Sequence, residues 1–132
     1  MPRVDKTESA IGVVRADLNA TMAVGKRDTL VAVGLNTAGK LIEGAGNTGI
    51  IGVVIVEPKR ALAGRRVDVF VLADIVECVG LAAGTTYWAD GATGAIVPGQ
   101  AGGAAPATGA GSTAGSTKIG FTVEADRLLV RL

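Results

Sequence analysis

The chain has 132 residues, which is enough for one domain with a single modest core. Its 13 Lys and Arg residues and 12 Asp and Glu residues give a net charge of +1, which supplies no long-range field for binding nucleic acid or an acidic membrane. Hydrophobic residues make up 48% of the chain and charged residues 19%, a composition that favours burial of part of the surface against other subunits.

The residue types present also exclude several kinds of chemistry. The sequence contains no His, so the commonest general base and the commonest transition-metal ligand are missing. Cys78 is the single Cys, which excludes an intramolecular disulfide, and its apolar neighbours predict a small buried side chain. We therefore expect a protein that is not an enzyme and that binds no cofactor and no metal ion.

Two features bear on membranes and on location. The longest purely apolar run, residues 50–56, is far shorter than the roughly 20 residues that span a bilayer. The first residues lack the apolar segment of a signal peptide, so we expect the chain to be made and kept in the cytoplasm of the producing cell.

Residues 1–28 follow neither period 2 nor period 3.6 for long, and we interpret them as an N-terminal arm. Fully extended at about 3.3 Å per residue, such an arm reaches roughly 90 Å and could lie on a neighbouring subunit. The apolar residues of the arm are then interface residues: Val4, Ile11, Val13, Val14, Leu18 and Met22. The alternatives are a frayed terminus and an irregular layer over the core.

From residue 29 onward, strand-forming residues with period 2 take over. The first predicted strands cover residues 29–35, 40–43, 50–57, 65–72 and 74–79. The first two of these form a hairpin around a turn at residues 36–39. The nearly continuous apolar run at 50–57 predicts a central strand that is buried on both faces.

Residues 81–97, with the sequence LAAGTTYWADGATGAIV, predict a further β-hairpin. Its first strand holds Tyr87 and Trp88, the only Tyr and the only Trp of the chain. Because successive side chains of a strand point to opposite faces, one ring should enter the core and the other should face outward as an interface residue. The sequence leaves open which ring faces outward.

Residues 98–117 contain only Gly, Ala, Ser, Thr, Pro and Gln, which predicts a long mobile loop. Residues 118–124 and 126–132 then predict a closing hairpin. This strand pair echoes residues 51–57 and 66–71, because in each pair an Ile-Gly strand that ends in Glu precedes a strand that begins at Arg. The pattern predicts an all-β domain over residues 29–132, either a small β-barrel or a β-sandwich built of hairpins.

Two further patterns do not predict a site. Residues 44–49 fit the G-x-G-x-x-G dinucleotide motif, but a strand follows where the motif needs a helix, so we interpret them as a β-turn. Asp68, Asp74 and Glu77 are the candidate catalytic carboxylates, but a sequence this poor in aromatic residues gives no sign of the water-excluding cleft that paired carboxylates need for catalysis.

The C-terminal two-thirds of the chain resembles the small β-rich decoration proteins, or capsid cement proteins, of tailed bacteriophage heads. Residues 81–94 are similar to the hairpin of that family in their order of an apolar residue, Gly, Tyr and Asp. Residues 118–123 and 129–132 resemble its terminal strand pair, and residues 51–53 resemble its earlier Ile-Gly-Val strand.

The resemblance implies a non-enzymatic virion protein on the outer surface of an assembled capsid, where it clamps neighbouring major capsid subunits. It implies a homotrimer whose partners are the major capsid protein and its own copies, with no nucleic acid, membrane or small-molecule partner. Deletion of residues 1–28 should then leave a folded domain that attaches less well. The alternatives are another virion part, such as a head-fibre base or tail component, and a carbohydrate-binding or ligand-binding barrel with Trp88 as a stacking platform.

Overall fold

A computed structural model of the protein describes residues 14–106 and 117–132. Three short 3-10 helices lie in the described residues, at Val24–Lys26, Pro58–Arg60 and Ala101–Gly103, and none of the described helices is long and apolar enough to cross a membrane. The strands are β1 (Val14–Asp17), β2 (Leu30–Leu35), β3 (Leu41–Glu43), β4 (Gly52–Ile55), β5 (Arg66–Val69), β6 (Ile75–Glu77), β7 (Thr86–Ala89), β8 (Ile96–Pro98), β9 (Thr117–Thr122) and β10 (Arg127–Val130).

The described strands form three antiparallel sheets, so the predicted all-β class is confirmed. The central sheet has the order β3-β2-β4, the two-stranded sheet pairs β1 with β5, and the five-stranded sheet has the order β6-β10-β9-β7-β8. These sheets do not close into one barrel. The strand predictions from residue 29 onward each correspond to an observed strand, and the closing hairpin is present as the β9–β10 pair.

The central sheet is buried on both faces, which explains the apolar run at residues 50–57. Alternate side chains of β2 and β4 point to opposite sides. On one side they join the first core, which contains Leu18, Met22, Val31, Val33, Leu41, Val54, Val56, Ala61, Val67 and Val69. On the other side they join the second core, which contains Leu30, Ala32, Val53, Val76, Leu81, Tyr87, Ala89, Ile119, Leu128 and Val130.

The structure corrects the interpretation of residues 14–28 as part of a free arm. β1 pairs with β5, so that Val14 lies opposite Val69. Leu18 and Met22 are each 4% exposed and belong to the first core, and their backbone amides donate hydrogen bonds to other segments of the same chain. Residues 14–28 therefore form an irregular layer over the core, which was one of the alternatives to a free arm. Residues 1–13 lie outside the described residues.

Two smaller predictions also need revision. The described part of the predicted mobile loop contains the end of β8 and a 3-10 helix, and the Gln100 amide donates to the Ala104 carbonyl over 2.9 Å. Residues 107–116 of that loop lie outside the described residues. Cys78 is half-buried rather than buried, and it packs at the margin of the second core.

Candidate interaction surface

The hairpin of β7 and β8 determines which aromatic ring faces outward. Tyr87 is 5% exposed and lies in the second core. Trp88, opposite Val97 in the β7–β8 register, points to the other face of the five-stranded sheet and is half-buried. Gly99 covers one edge of its indole ring, since a Cβ atom at Gly99 would lie 2.8 Å from the Trp88 Nε1 atom. The outward ring is therefore Trp88, with only part of its surface accessible.

Tyr87 also fixes the loop that precedes β7. Its hydroxyl oxygen accepts a hydrogen bond from the Ala82 amide over 2.8 Å. Thr122, which is 1% exposed, supports the same loop from β9, because its Oγ1 donates to the Ala82 carbonyl and accepts from the Thr85 amide. The Leu81 side chain adds an apolar anchor in the second core. The loop and the hairpin are thus held to the terminal strand pair by buried polar contacts.

Asp126 completes this support and was not singled out in the sequence. It lies in the turn between β9 and β10 with a φ of 63°, a conformation in which Asn and Asp are enriched. Its Oδ1 atom accepts hydrogen bonds from the amides of Gly80, at 2.8 Å, and Leu81, at 3.0 Å. An Asp in a turn between two strands is the only sequence signal for this role.

The Asp126 contacts predict different effects for two substitutions. D126A removes the acceptor of two amides and places Ala at positive φ, so we expect a loss of about 2–3 kcal/mol in the free energy of unfolding. D126N keeps both an acceptor oxygen and the tolerance for positive φ, and should cost about 1 kcal/mol or less. Urea denaturation of both variants measures the difference, and equal losses would contradict the assignment.

The outer face of the five-stranded sheet carries an apolar row. Leu128, Val130 and Val76 are fully buried on the inner face, so the residues that alternate with them point outward. Leu129 lies opposite Ile75 on one side and opposite Phe121 on the other. On the next strand Thr86 stands opposite Phe121, and Trp88 lies two residues further along, opposite Val97 of the last strand. We call the five outward apolar side chains the apolar row: Ile75, Leu129, Phe121, Trp88 and Val97.

Positive charges flank the apolar row. The Arg131 guanidinium lies 5.9 Å from the centroid of the Phe121 ring, a cation–π distance. Lys118 is exposed and lies opposite Trp88 in the β7–β9 register. No ion pair joins either of these residues to another within the described ranges, whereas Arg127 pairs with Glu124 at 2.6 Å and with Glu77 at 3.5 Å.

The two-stranded sheet on the opposite side of the molecule has a different outer surface. Arg15 pairs across the strands with Asp68 at 2.7 Å, and Arg66 pairs with Asp17 at 3.2 Å. Each cation therefore has a carboxylate partner, and three of the four side chains are more than half exposed, while Asp17 is 35% exposed. Such a ladder of exposed, compensated charges is typical of a solvated face and contributes little to stability.

The carboxylates that were considered for catalysis do not converge. Asp68 pairs with Arg15, Glu77 with Arg127, and the Asp74 carboxylate accepts a hydrogen bond from the Val71 amide over 2.8 Å. Among residues 14–106 and 117–132, no group of three or more Cys, Asp or Glu side chains could hold a metal ion.

Of the predicted interface residues, Val14 is 39% exposed on β1, while Val4, Ile11 and Val13 lie outside the described residues.

Comparison with known proteins gives one informative result. No protein-family model and no curated protein matches the chain. Among solved structures, a chain from Mycobacterium phage Patience is similar, with a TM-score of 0.56 and 18% sequence identity. The similarity covers 98% of this chain and 95% of that chain. The two chains share a fold. At this identity the likeness concerns the fold alone, and it extends over residues 14–28 as well as the strands that follow.

Proposed function

We propose that this chain is a structural virion protein that binds the outer surface of an assembled phage capsid and clamps neighbouring major capsid subunits. The observation that carries the proposal is a fold shared over nearly the whole chain with a protein from a phage. The resemblance of residues 81–94 and of the closing strands to capsid decoration proteins points the same way. Under this proposal the protein is not an enzyme, and its partners are the major capsid protein and further copies of itself, as a homotrimer.

The proposed activity is stabilisation by selective binding. A protein that binds the assembled, expanded lattice and not the separate capsid subunits shifts the equilibrium away from disassembly. It needs an accessible surface with apolar area, and the outer face of the five-stranded sheet offers the apolar row for this. It also needs a rigid body, and the two cores on either side of the central sheet supply one.

Binding to heads tests the proposal directly. Purified protein mixed with expanded phage heads that lack it should co-sediment with them and should raise the temperature at which they release their DNA. Heads that already carry their full complement are the control and should take up no more protein. Absence of co-sedimentation, or bound protein without any gain in heat resistance, would count against capsid stabilisation. Label confined to a single vertex of the particle would instead favour a head-fibre or tail component.

A further inference from the structure

We infer that the outer face of the five-stranded sheet is the surface that docks on the capsid, and that it binds an acidic protein surface with an apolar centre. The inference rests on the proposed function and adds to it the docking face and the chemistry of the partner.

Exposed apolar area is concentrated on this layer. Ile75 of the apolar row is 54% exposed, whereas the next residue of the same strand, Val76, is 1% exposed. In the described residues, most of the exposed large hydrophobic side chains belong to β6 or directly flank β6, β9 and β10: Leu72, Ile75, Val79, Val123 and Leu132. An accumulation of exposed apolar side chains in one layer of a fold is typical of a surface that is covered by a partner.

The charges indicate what kind of partner covers it. Arg131 and Lys118 stand beside the apolar row without an ion-pair partner in the described part of the chain. Burial of such cations is favourable when the partner supplies carboxylates, because an unpaired charge in an interface is costly. A partner with Asp or Glu side chains around an apolar patch would complement both the cations and the row.

Two other partners fit less well. A second copy of this face would supply few free carboxylates for Arg131 and Lys118, because its Glu77 and Glu124 already pair with Arg127. Nucleic acid binding draws on many phosphate contacts from Lys and Arg, whereas this face offers two cations without an ion-pair partner in the described residues and the chain has a net charge of only +1. On the opposite face, the charges of β1 and β5 form ion pairs across the two strands, and Val14, at 39%, is the one large hydrophobic side chain of these two strands that is exposed.

A matched pair of charge reversals tests the docking face. K118E reverses a cation beside the apolar row, and K59E makes the same change at an exposed position of the 3-10 helix Pro58–Arg60, which adjoins the first core. With expanded heads as the probe, we expect K118E to raise the protein concentration needed for half-saturation at least about tenfold. K59E should change it less than about twofold. Added salt should weaken wild-type binding more than binding of K118E.

A second pair tests the apolar row. I75S removes an exposed apolar side chain from the row, and L62S removes one of similar exposure, 42%, outside this layer. We expect I75S to weaken binding to heads about fivefold to tenfold and L62S to leave it unchanged. Thermal unfolding of all four variants controls for the fold, since each substituted side chain is exposed.

The outcomes distinguish the inference from the proposed function. If the wild-type protein binds heads and both K118E and I75S bind equally well, the assignment of the docking face is wrong, but the proposed binding to the capsid is still supported. If the wild-type protein does not bind heads, the proposed function fails and the inference fails with it. If K118E instead changes the mass of the free protein in light scattering and still binds heads like wild type, the face is a contact between copies, which also overturns the inference.

Discussion

A chain that begins at residue 29 is expected not to fold. The deletion removes β1 from its pairing with β5 and takes Leu18 and Met22, each 4% exposed, out of the first core. Loss of a buried Leu or Met side chain alone costs about 2–5 kcal/mol. Two such losses approach the total stability of a domain of this size, which is about 5–15 kcal/mol. Circular dichroism and chemical denaturation should therefore show no cooperative unfolding transition.

Two further variants separate this effect from a general effect of shortening the chain. A chain that begins at residue 14 keeps every contact named above and should unfold cooperatively. L18A in the full chain should lower the free energy of unfolding by about 2–5 kcal/mol. A cooperatively folded chain that begins at residue 29 would contradict the placement of residues 14–28 in the fold, and would restore their interpretation as a detachable arm.

The error over residues 14–28 has a physical cause. β1 alternates apolar and charged residues for only four positions, which is too short to stand out from the irregular sequence around it. Its partner β5 lies about 50 residues further along the chain, so no local turn indicates the pairing. Leu18 and Met22 are isolated buried side chains in an irregular segment that backbone hydrogen bonds hold in place. Isolated buried residues produce no periodic pattern in the sequence.

Local patterns predicted the strands from residue 29 onward for the opposite reason. Most of these strands are no longer than β1, but turn-forming residues separate them and mark each strand in the sequence. The continuous apolar run correctly predicted that β4 is buried on both faces, because such burial requires apolar residues at successive positions. The predicted central position was wrong, since β2 lies between β3 and β4 in the sheet.

The interaction surface was predictable only in part. The Tyr87 and Trp88 pair was visible in the sequence, but which ring enters the core depends on the register of β7 against β9, which includes a bulge after Tyr87. The apolar row depends on four strand pairings at once, so Ile75 and Phe121 could not be brought together from their own neighbourhoods. Such long-range pairings are set by the packing of whole sheets.

The turn of the β7–β8 hairpin is the site of the second large effect that we expect. Gly94 has a φ of 75°, and its carbonyl accepts a hydrogen bond from the Ala32 amide of β2 over 2.9 Å. A Cβ atom at Gly94 would clash with the carbonyl oxygen of Ala32 and would lie 2.9 Å from the Gly44 amide nitrogen. The hairpin thus docks on the central sheet through a backbone contact that leaves no room for a side chain.

G94A should therefore cost far more stability than its backbone conformation alone explains. Gly39 is the matched control, because its φ of 76° is almost the same and a Cβ atom there would meet nothing within 4 Å. G39A should cost about 1–2 kcal/mol, the strain of a non-Gly residue in this conformation. G94A adds displacement of the hairpin from β2 and should cost about 3 kcal/mol or more in total. Equal losses in the free energy of unfolding, measured by urea denaturation, would contradict this prediction. They would show that the hairpin can move away from the central sheet without an energetic cost.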